Sequence, residues 1–225
     1  EVQVVYKHFA TQVTLDSEVV QIEPAVSRTV VTRLLKHRGA GSVLGVDLSE
    51  GMIELARKQE AAAPLGIEYQ VGDGRKLPFE GEFDLVVAAY LLNYAETREQ
   101  LQEMCDSIAK CLKPGGRFVT VNSNPACDFR TAPSYRKYGF ETSAADPWQA
   151  GSPITWRFYL DGAEFSLENY FLSPALHEEV FRAADFREVH WRPTEVSKEG
   201  REEFDPTFWD VFLDAPPVAF IECKK

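Results

Sequence analysis

The stretch Ser42-Val43-Leu44-Gly45-Val46-Asp47-Leu48-Ser49-Glu50-Gly51-Met52-Ile53-Glu54-Leu55-Ala56-Arg57 limits the folds open to this chain more than any other. It begins with an apolar run, bounded by Gly41, that is too short for a helix. That is the pattern of a strand buried on both faces in a parallel sheet. The run ends in an acid, Asp47. Ser49 then stands where an N-cap belongs, with Glu50 in the first turn, where the helix dipole favours a negative charge. Met52, Ile53, Leu55 and Ala56 recur at helical spacing and are expected to form the buried face of that helix. A junction of this kind sets a carboxylate at the carboxyl edge of a sheet.

In open α/β sheets that edge is where ligands bind, and an acid there can receive ribose hydroxyls. An acid that only caps its helix is the alternative reading. The neighbouring segments support the same layered architecture. Ser17–Glu23 alternates and is stopped by Pro24, giving a first strand. Thr29–His37 carries Val30, Val31, Leu34 and Leu35 at helical spacing, and Gly39 closes that helix. After the helix from about Glu50 to Ala62, residues 66–71 read as a strand and Gly72-Asp73-Gly74 as a loop. A buried strand follows over 82–89, then an amphipathic helix over Thr97–Leu112 with Leu101, Met104, Cys105, Ile108 and Leu112 on one face. Lys113-Pro114-Gly115-Gly116 is a tight turn, and Arg117–Asn122 a fifth strand. Strand and helix alternate, which specifies a mostly parallel, doubly wound sheet.

The pattern breaks after Asn122. Residues 123–153 carry Pro125, Pro133, Pro147 and Pro153 among aromatic side chains, the composition of a lid or binding loop. Ile154–Leu160 and Ala163–Leu172 flank Asp161-Gly162, a strong hairpin signal. A helix over 173–184 and strands over 186–191 and 218–223 close the chain. The expectation is one domain over 1–225, with 123–172 as a lid and hairpin insertion.

Composition narrows the function classes. A 44% apolar content with fifteen Phe supports a packed core in 225 residues. A formal net charge of −11 disfavours nucleic acid or an anionic membrane as partner. Cys105, Cys111, Cys127 and Cys223 are scattered, so neither a zinc site nor a disulfide framework is expected. No apolar segment has membrane-spanning length, and a cytoplasmic setting is expected. Of the histidines, His37 and His177 are expected on helix surfaces and His190 in a structural role. None, His8 included, stands out as a general base.

With these elements placed, the chain resembles the class I S-adenosylmethionine-dependent methyltransferases of bacterial small-molecule type. The resemblance is carried in order by Gly45-Val46-Asp47-Leu48-Ser49-Glu50-Gly51-Met52, Gly72-Asp73-Gly74 with Leu77-Pro78-Phe79, Phe83-Asp84-Leu85-Val86, and Leu112-Lys113-Pro114-Gly115-Gly116-Arg117-Phe118. It covers roughly residues 20–125 and implies a Rossmann-like sheet of the seven-stranded methyltransferase type. It further implies S-adenosylmethionine as cofactor, methyl transfer as the activity and a small aromatic or heterocyclic acceptor. Asp47 would accept from the ribose hydroxyls, with Leu48 and Met52 beside the adenosine. Asp73 would accept from the adenine amino group, next to Gly74. Ala89 and Leu91 would floor the methionine moiety, with Tyr94 closing over it. Asn122, Tyr135, Tyr138, Trp156, Tyr159 and Tyr170 are candidates for the acceptor pocket. No metal is implied.

The chain departs from the family at the first motif, an acid followed by a glycine-rich turn. The acid remains as Glu23, followed by Ala25, but Ser27 and Thr29 replace the glycines. A β-branched residue where close backbone approach is needed costs on the order of 1–3 kcal/mol. Three readings follow: a reshaped turn that still binds the cofactor, a cofactor-impaired fold repurposed for binding a ligand or partner, or an N-terminal region that differs from the natural one. An NAD-dependent oxidoreductase fits less well, because no G-x-G-x-x-G follows the first strand.

Overall fold

The computed structural model describes residues 19–22, 30–160, 163–205 and 207–225. In chain order the elements are β1 (Val19–Ile22), α1 (Val30–His37), β2 (Val43–Asp47), α2 (Glu50–Ala62), β3 (Ile67–Val71), β4 (Phe83–Ala89), α3 (Arg98–Cys111) and β5 (Leu112–Ser123). They continue with β6 (Phe140–Ala144), β7 (Pro153–Leu160), β8 (Ala163–Tyr170), α4 (Pro174–Ala183), β9 (Glu188–Arg192), α5 (Lys198–Glu203), α6 (Asp210–Asp214) and β10 (Val218–Lys224). Seven strands form one sheet in the order β3-β2-β1-β4-β5-β10-β9. β1 to β5 run parallel, and β10 pairs antiparallel with both β5 and β9. The order reverses between β1 and β4, so the carboxyl ends of β1, β2 and β4 open the crevice where such sheets bind ligands.

Alternation along the strands assigns the two faces. Val43, Leu85, Val87 and Val119 meet α1 and α2 through Leu35, Ile53 and Ala56. Val46, Val86, Ala88, Phe118 and Ile221 meet α3 and α4 through Leu101, Met104, Ile108, Val180 and Phe181. Cys105 and Cys111 are buried as small apolar residues within α3. On α2, Ile53 and Ala56 turn inward as expected, but Leu55 is exposed; a helix turns 100° per residue, and Leu55 falls outside the narrow stripe that β2 and β3 cover.

The turn at Lys113–Gly116 is a bulge inside β5 rather than a connector before it. Phe83 pairs with Leu112 and Leu85 with Arg117, so the chain loops out between adjacent pairs. Gly115 takes φ +79°, and a Cβ on Gly116 would lie 2.9 Å from the Lys113 carbonyl, so both positions need glycine.

Residues 123–153 are not a plain loop. They contain β6, which pairs with β7, and β7 pairs with β8, giving a three-stranded antiparallel sheet. This annex has its own aromatic core around Phe129, Tyr135, Tyr138, Phe140, Trp156 and Phe158. Val196, Trp209, Phe212 and Val218 complete that core, so the annex draws on the segment before β10 as well as on 123–172. The helices α5 and α6 in that segment had no clear sequence periodicity because they are only six and five residues long. The hairpin tip Asp161-Gly162 and the turn 23–29 lie outside the described residues. No helix among the described residues is long and apolar enough to cross a membrane.

Candidate active site at the carboxyl edge of the sheet

Asp47 ends β2 with only 6% of its surface exposed. The Ser49 N–H donates to its Oδ1 at 2.7 Å, and no other hydrogen bond reaches this carboxylate among the described residues. Burial raises its pKa above the ordinary aspartate value, and the Ser49 hydrogen bond partly opposes the rise. Ser49 also caps α2: its Oγ accepts from the Met52 N–H at 3.4 Å, and the helix N-terminus is directed at this edge. The capping reading and the ligand reading therefore separate onto two residues. Ser49 caps, and Asp47 keeps acceptor capacity.

Apolar surface stands beside that acid. Leu48 is 69% exposed and Val71, at the end of β3, is 43% exposed. Gly72 follows, its N–H donating to the Asp47 carbonyl at 3.0 Å, and a Cβ there would strike Val46 Cγ1 at 2.9 Å. A buried acceptor between exposed apolar side chains and a bare backbone suits a ribose with its flat base. Met52 is half-buried and Gly74 buried in the same region.

Asp73 is already engaged. Arg75 donates from its backbone N–H and Nε to Oδ1, and from Nε and Nη2 to Oδ2, at 2.7–3.1 Å. The Arg75 side-chain hydrogen bonds hold the Asp73 carboxyl below its ordinary pKa despite partial burial. About four acceptor positions exist on a carboxylate, and three N–H groups of Arg75 lie on them, the Nε hydrogen shared between both oxygens.

Beyond β4 the backbone is unusual. Ala89 is buried, and Tyr90 adopts φ +60°, a region costly for a bulky residue and one that clusters at functional sites. A short 3-10 turn, Leu92–Tyr94, follows; the half-buried Leu91 precedes it. Asn122 holds this turn: its Oδ1 accepts from the Leu92 N–H at 3.1 Å, and its Nδ2 donates to Thr120 Oγ1 at 2.8 Å. Asn122 thus has a structural duty, while its amide keeps one donor hydrogen and one acceptor position beyond these two bonds. Within the turn, Asn93 is buried and neither atom of its amide has a partner among the described residues. Tyr94 lies between Asp47 and the annex. Burial raises its hydroxyl pKa, a hydrogen bond with Asn169 opposes this, and the charge of Asp47 adds to it. Asn169 of β8 in turn accepts from Ser123 Oγ at 3.2 Å, tying the annex to the end of β5.

The remaining acceptor candidates divide. Tyr135 and Tyr138 are fully buried in the annex core, where their hydroxyls donate to the carbonyls of Ala215 and Phe208, each at 2.7 Å. The structure gives them to the core rather than to the sheet edge. Tyr159 carries the Arg136 guanidinium 3.7 Å from its ring centroid, and Tyr170 donates to Glu168. Trp156 is buried on the inner face of the annex sheet. Glu23 and Ala25 lie outside the described residues. His177, expected at a helix surface, is 6% exposed, and its Nδ1 meets the Ser173 carbonyl at 2.9 Å. Sequence reasoning passed over Asn93, Ser123 and Asn169. The available signal was a polar amide between Leu92 and Tyr94, immediately after a buried strand.

This sheet order with one antiparallel strand, and an acid at the end of the second strand, defines a Rossmann-like nucleotide-binding fold of the methyltransferase kind. A methyltransferase domain family model matches residues 25–116. The chain is 32% identical over 166 residues to a demethylmenaquinone methyltransferase of Symbiobacterium thermophilum, covering 68% of this chain and 61% of that protein. It is 31% identical over 171 residues to the ubiquinone/menaquinone biosynthesis C-methyltransferase UbiE of Desulfotalea psychrophila, covering 70% and 62%. The chain therefore spans about three fifths of the length of these curated relatives. Among solved structures, an S-adenosylmethionine-dependent methyltransferase from Mesorhizobium loti matches with a TM-score of 0.65 at 21% identity, over 94% of this chain and 92% of that one. The CcbJ methyltransferase from Streptomyces caelestis matches with a TM-score of 0.66 at 18% identity, over 99% and 86%. These likenesses support a class I S-adenosylmethionine-dependent methyltransferase, a family whose cofactor is S-adenosylmethionine.

Proposed function

We propose that this chain transfers a methyl group from S-adenosylmethionine to a small aromatic acceptor held between the carboxyl edge of the sheet and the annex. The observation that carries the reading is the Asp47 carboxylate, buried at the edge with acceptor capacity unspent and flanked by exposed Leu48 and Val71. The cofactor supplies a methyl group activated on a sulfonium. The chain's part is alignment and exclusion of water. Asp47 would hold the ribose hydroxyls, and Leu48, Met52 and Gly74 would border the base. Ala89, Leu91 and Tyr94 would border the methionine end. The unpartnered Asn93 amide, two residues beyond Leu91, offers both a donor and an acceptor to the bound acceptor molecule. The names of the relatives point to quinone-type rings as the acceptor class.

Isothermal titration with S-adenosylhomocysteine tests the cofactor site. Saturable binding is expected, weakened roughly 10- to 100-fold in Asp47→Ala, the cost of losing hydrogen bonds to a charged group. Absence of heat at millimolar ligand overturns the reading. Transfer of a labelled methyl group to hydroxylated naphthalenes tests the chemistry. Binding without transfer across such a panel would favour the repurposed fold suggested by Ser27 and Thr29.

A further inference from the structure

The register of the annex sheet arranges its inner face in rows. Thr142 of β6 stands opposite Trp156 of β7, which stands opposite Leu167 of β8. The next row on the same face is Ala144, Ile154 and Asn169, and Asn169 bonds Ser123 at the end of β5. Two residues along a strand is about 7 Å, so the Trp156 row lies that far from the row whose Asn169 touches the end of β5. β8 also packs against the Leu92–Tyr94 turn.

Two polar groups in this row are unexplained. Trp156 is 5% exposed, with its ring 5.9 Å from Phe129 and 5.3 Å from Phe140, centroid to centroid. Its Nε1 and the Thr142 Oγ1 opposite are both shielded from solvent, and neither has a hydrogen-bond partner among the described residues. Folding does not strand buried polar groups without cost, and two at one register position point to a shared third party. Their chemistry defines it. An indole N–H only donates, and a threonine hydroxyl can accept. A hydroxyl serves both, its oxygen accepting from Nε1 and its hydrogen donating to Oγ1. The walls around it are aromatic, which favours a flat ring as the bearer of that hydroxyl.

We propose that Trp156 and Thr142 form the anchor for a ring hydroxyl of the planar acceptor and so set acceptor specificity. This deepens the methyl-transfer reading and rests on it. A single buried water would meet the same two groups, and the test separates the two occupants.

The test uses the full chain, labelled with ¹⁵N-tryptophan and saturated with S-adenosylhomocysteine. Of four indole signals, that of Trp156 is identified by its loss in Trp156→Phe. Titration with 1-naphthol is expected to move the Trp156 indole proton downfield, and naphthalene, which lacks the hydroxyl, is not. Trp156→Phe and Thr142→Val are each expected to weaken 1-naphthol binding about tenfold without changing the affinity for S-adenosylhomocysteine. The proposal is overturned by a Trp156 signal that 1-naphthol leaves in place, by no 1-naphthol binding, or by equal binding in both variants, as a water-filled pair would give. Should Trp156→Phe fail to fold, the nearly isosteric Thr142→Val decides alone. Normal binding of S-adenosylhomocysteine with a silent Trp156 sinks only the anchor. Loss of S-adenosylhomocysteine binding in the unmodified chain sinks the cofactor reading instead.

Discussion

The ring of Tyr69 lies directly over Gly45: a Cβ at position 45 would stand 2.6 Å from Tyr69 Cδ1. The two residues are register partners on β3 and β2, and the Tyr69 hydroxyl is held by Thr32 of α1 at 3.0 Å. The ring is therefore pinned at both ends and cannot yield. Gly45→Ala is expected to cost about 1–3 kcal/mol through overpacking, read as a lower midpoint in urea unfolding. Gly45→Ala combined with Tyr69→Leu should recover part of that loss, because the obstructing ring is gone. Additive losses in the double variant would show that the clash does not control this position.

Asp47 gives cofactor binding a pH signature. Its pKa is raised, chiefly by burial, so the carboxylate protonates at a higher pH than an exposed aspartate would. Ribose hydroxyls donate to the charged form. Calorimetric affinity for S-adenosylhomocysteine is expected to hold at neutral pH and to fall as pH drops through that raised value. In Asp47→Asn the affinity should be weaker throughout and flat over the same range.

Arg75 competes for Asp73. With its backbone and side chain on both carboxylate oxygens, it takes up most of the acceptor positions an adenine amino group would use. Both side chains are partly open to solvent, so the pair is individually weak. Arg75→Ala should release the carboxylate and tighten S-adenosylhomocysteine binding severalfold, while Asp73→Asn weakens it. An Arg75→Ala variant that binds no better would remove Asp73 from the adenine site.

His177 ties stability to pH. Burial lowers its pKa, partly opposed by the Ser173 carbonyl, and its neighbours are the rings of Phe181 and Trp191. The native state therefore prefers the neutral imidazole, and the unfolded chain binds a proton more readily. Stability from this group is present above the unfolded histidine pKa of about 6.5 and is lost as pH falls below it. Urea unfolding at pH 8 and pH 5.5 should show a drop in the unmodified chain that is smaller in His177→Gln.

Much of the main sheet was legible because its signals are local. Each parallel strand is a short apolar run, and each helix carries caps and a periodic stripe: Ser49 caps α2, Thr97 caps α3 and Ser173 caps α4, each accepting a backbone N–H of the first turn. The annex was legible only in part. β7 and β8 have hairpin alternation, whereas β6 is five residues that pair with β7 across a loop carrying no two-residue turn signal. Tyr135 and Tyr138 looked like pocket walls because an aromatic residue in a turn-rich segment reads the same whether it faces a ligand or a core. His177 misled for a similar reason: a helix position is polar or buried according to what packs on it, here β9 through Trp191.

The sequence alone determined the order of strands and helices through β5, the placing of Asp47 at a strand end and the family the chain resembles, since all three rest on residues close together in the chain. Tertiary structure alone decided that Arg75 engages Asp73 and that Asn122 holds Leu92. It also decided that Asn93, Thr142 and Trp156 keep polar atoms without partners among the described residues. Those outcomes depend on which hydrogen-bonding groups are left over once distant strands have paired, and pairing at a distance is not written in any local pattern.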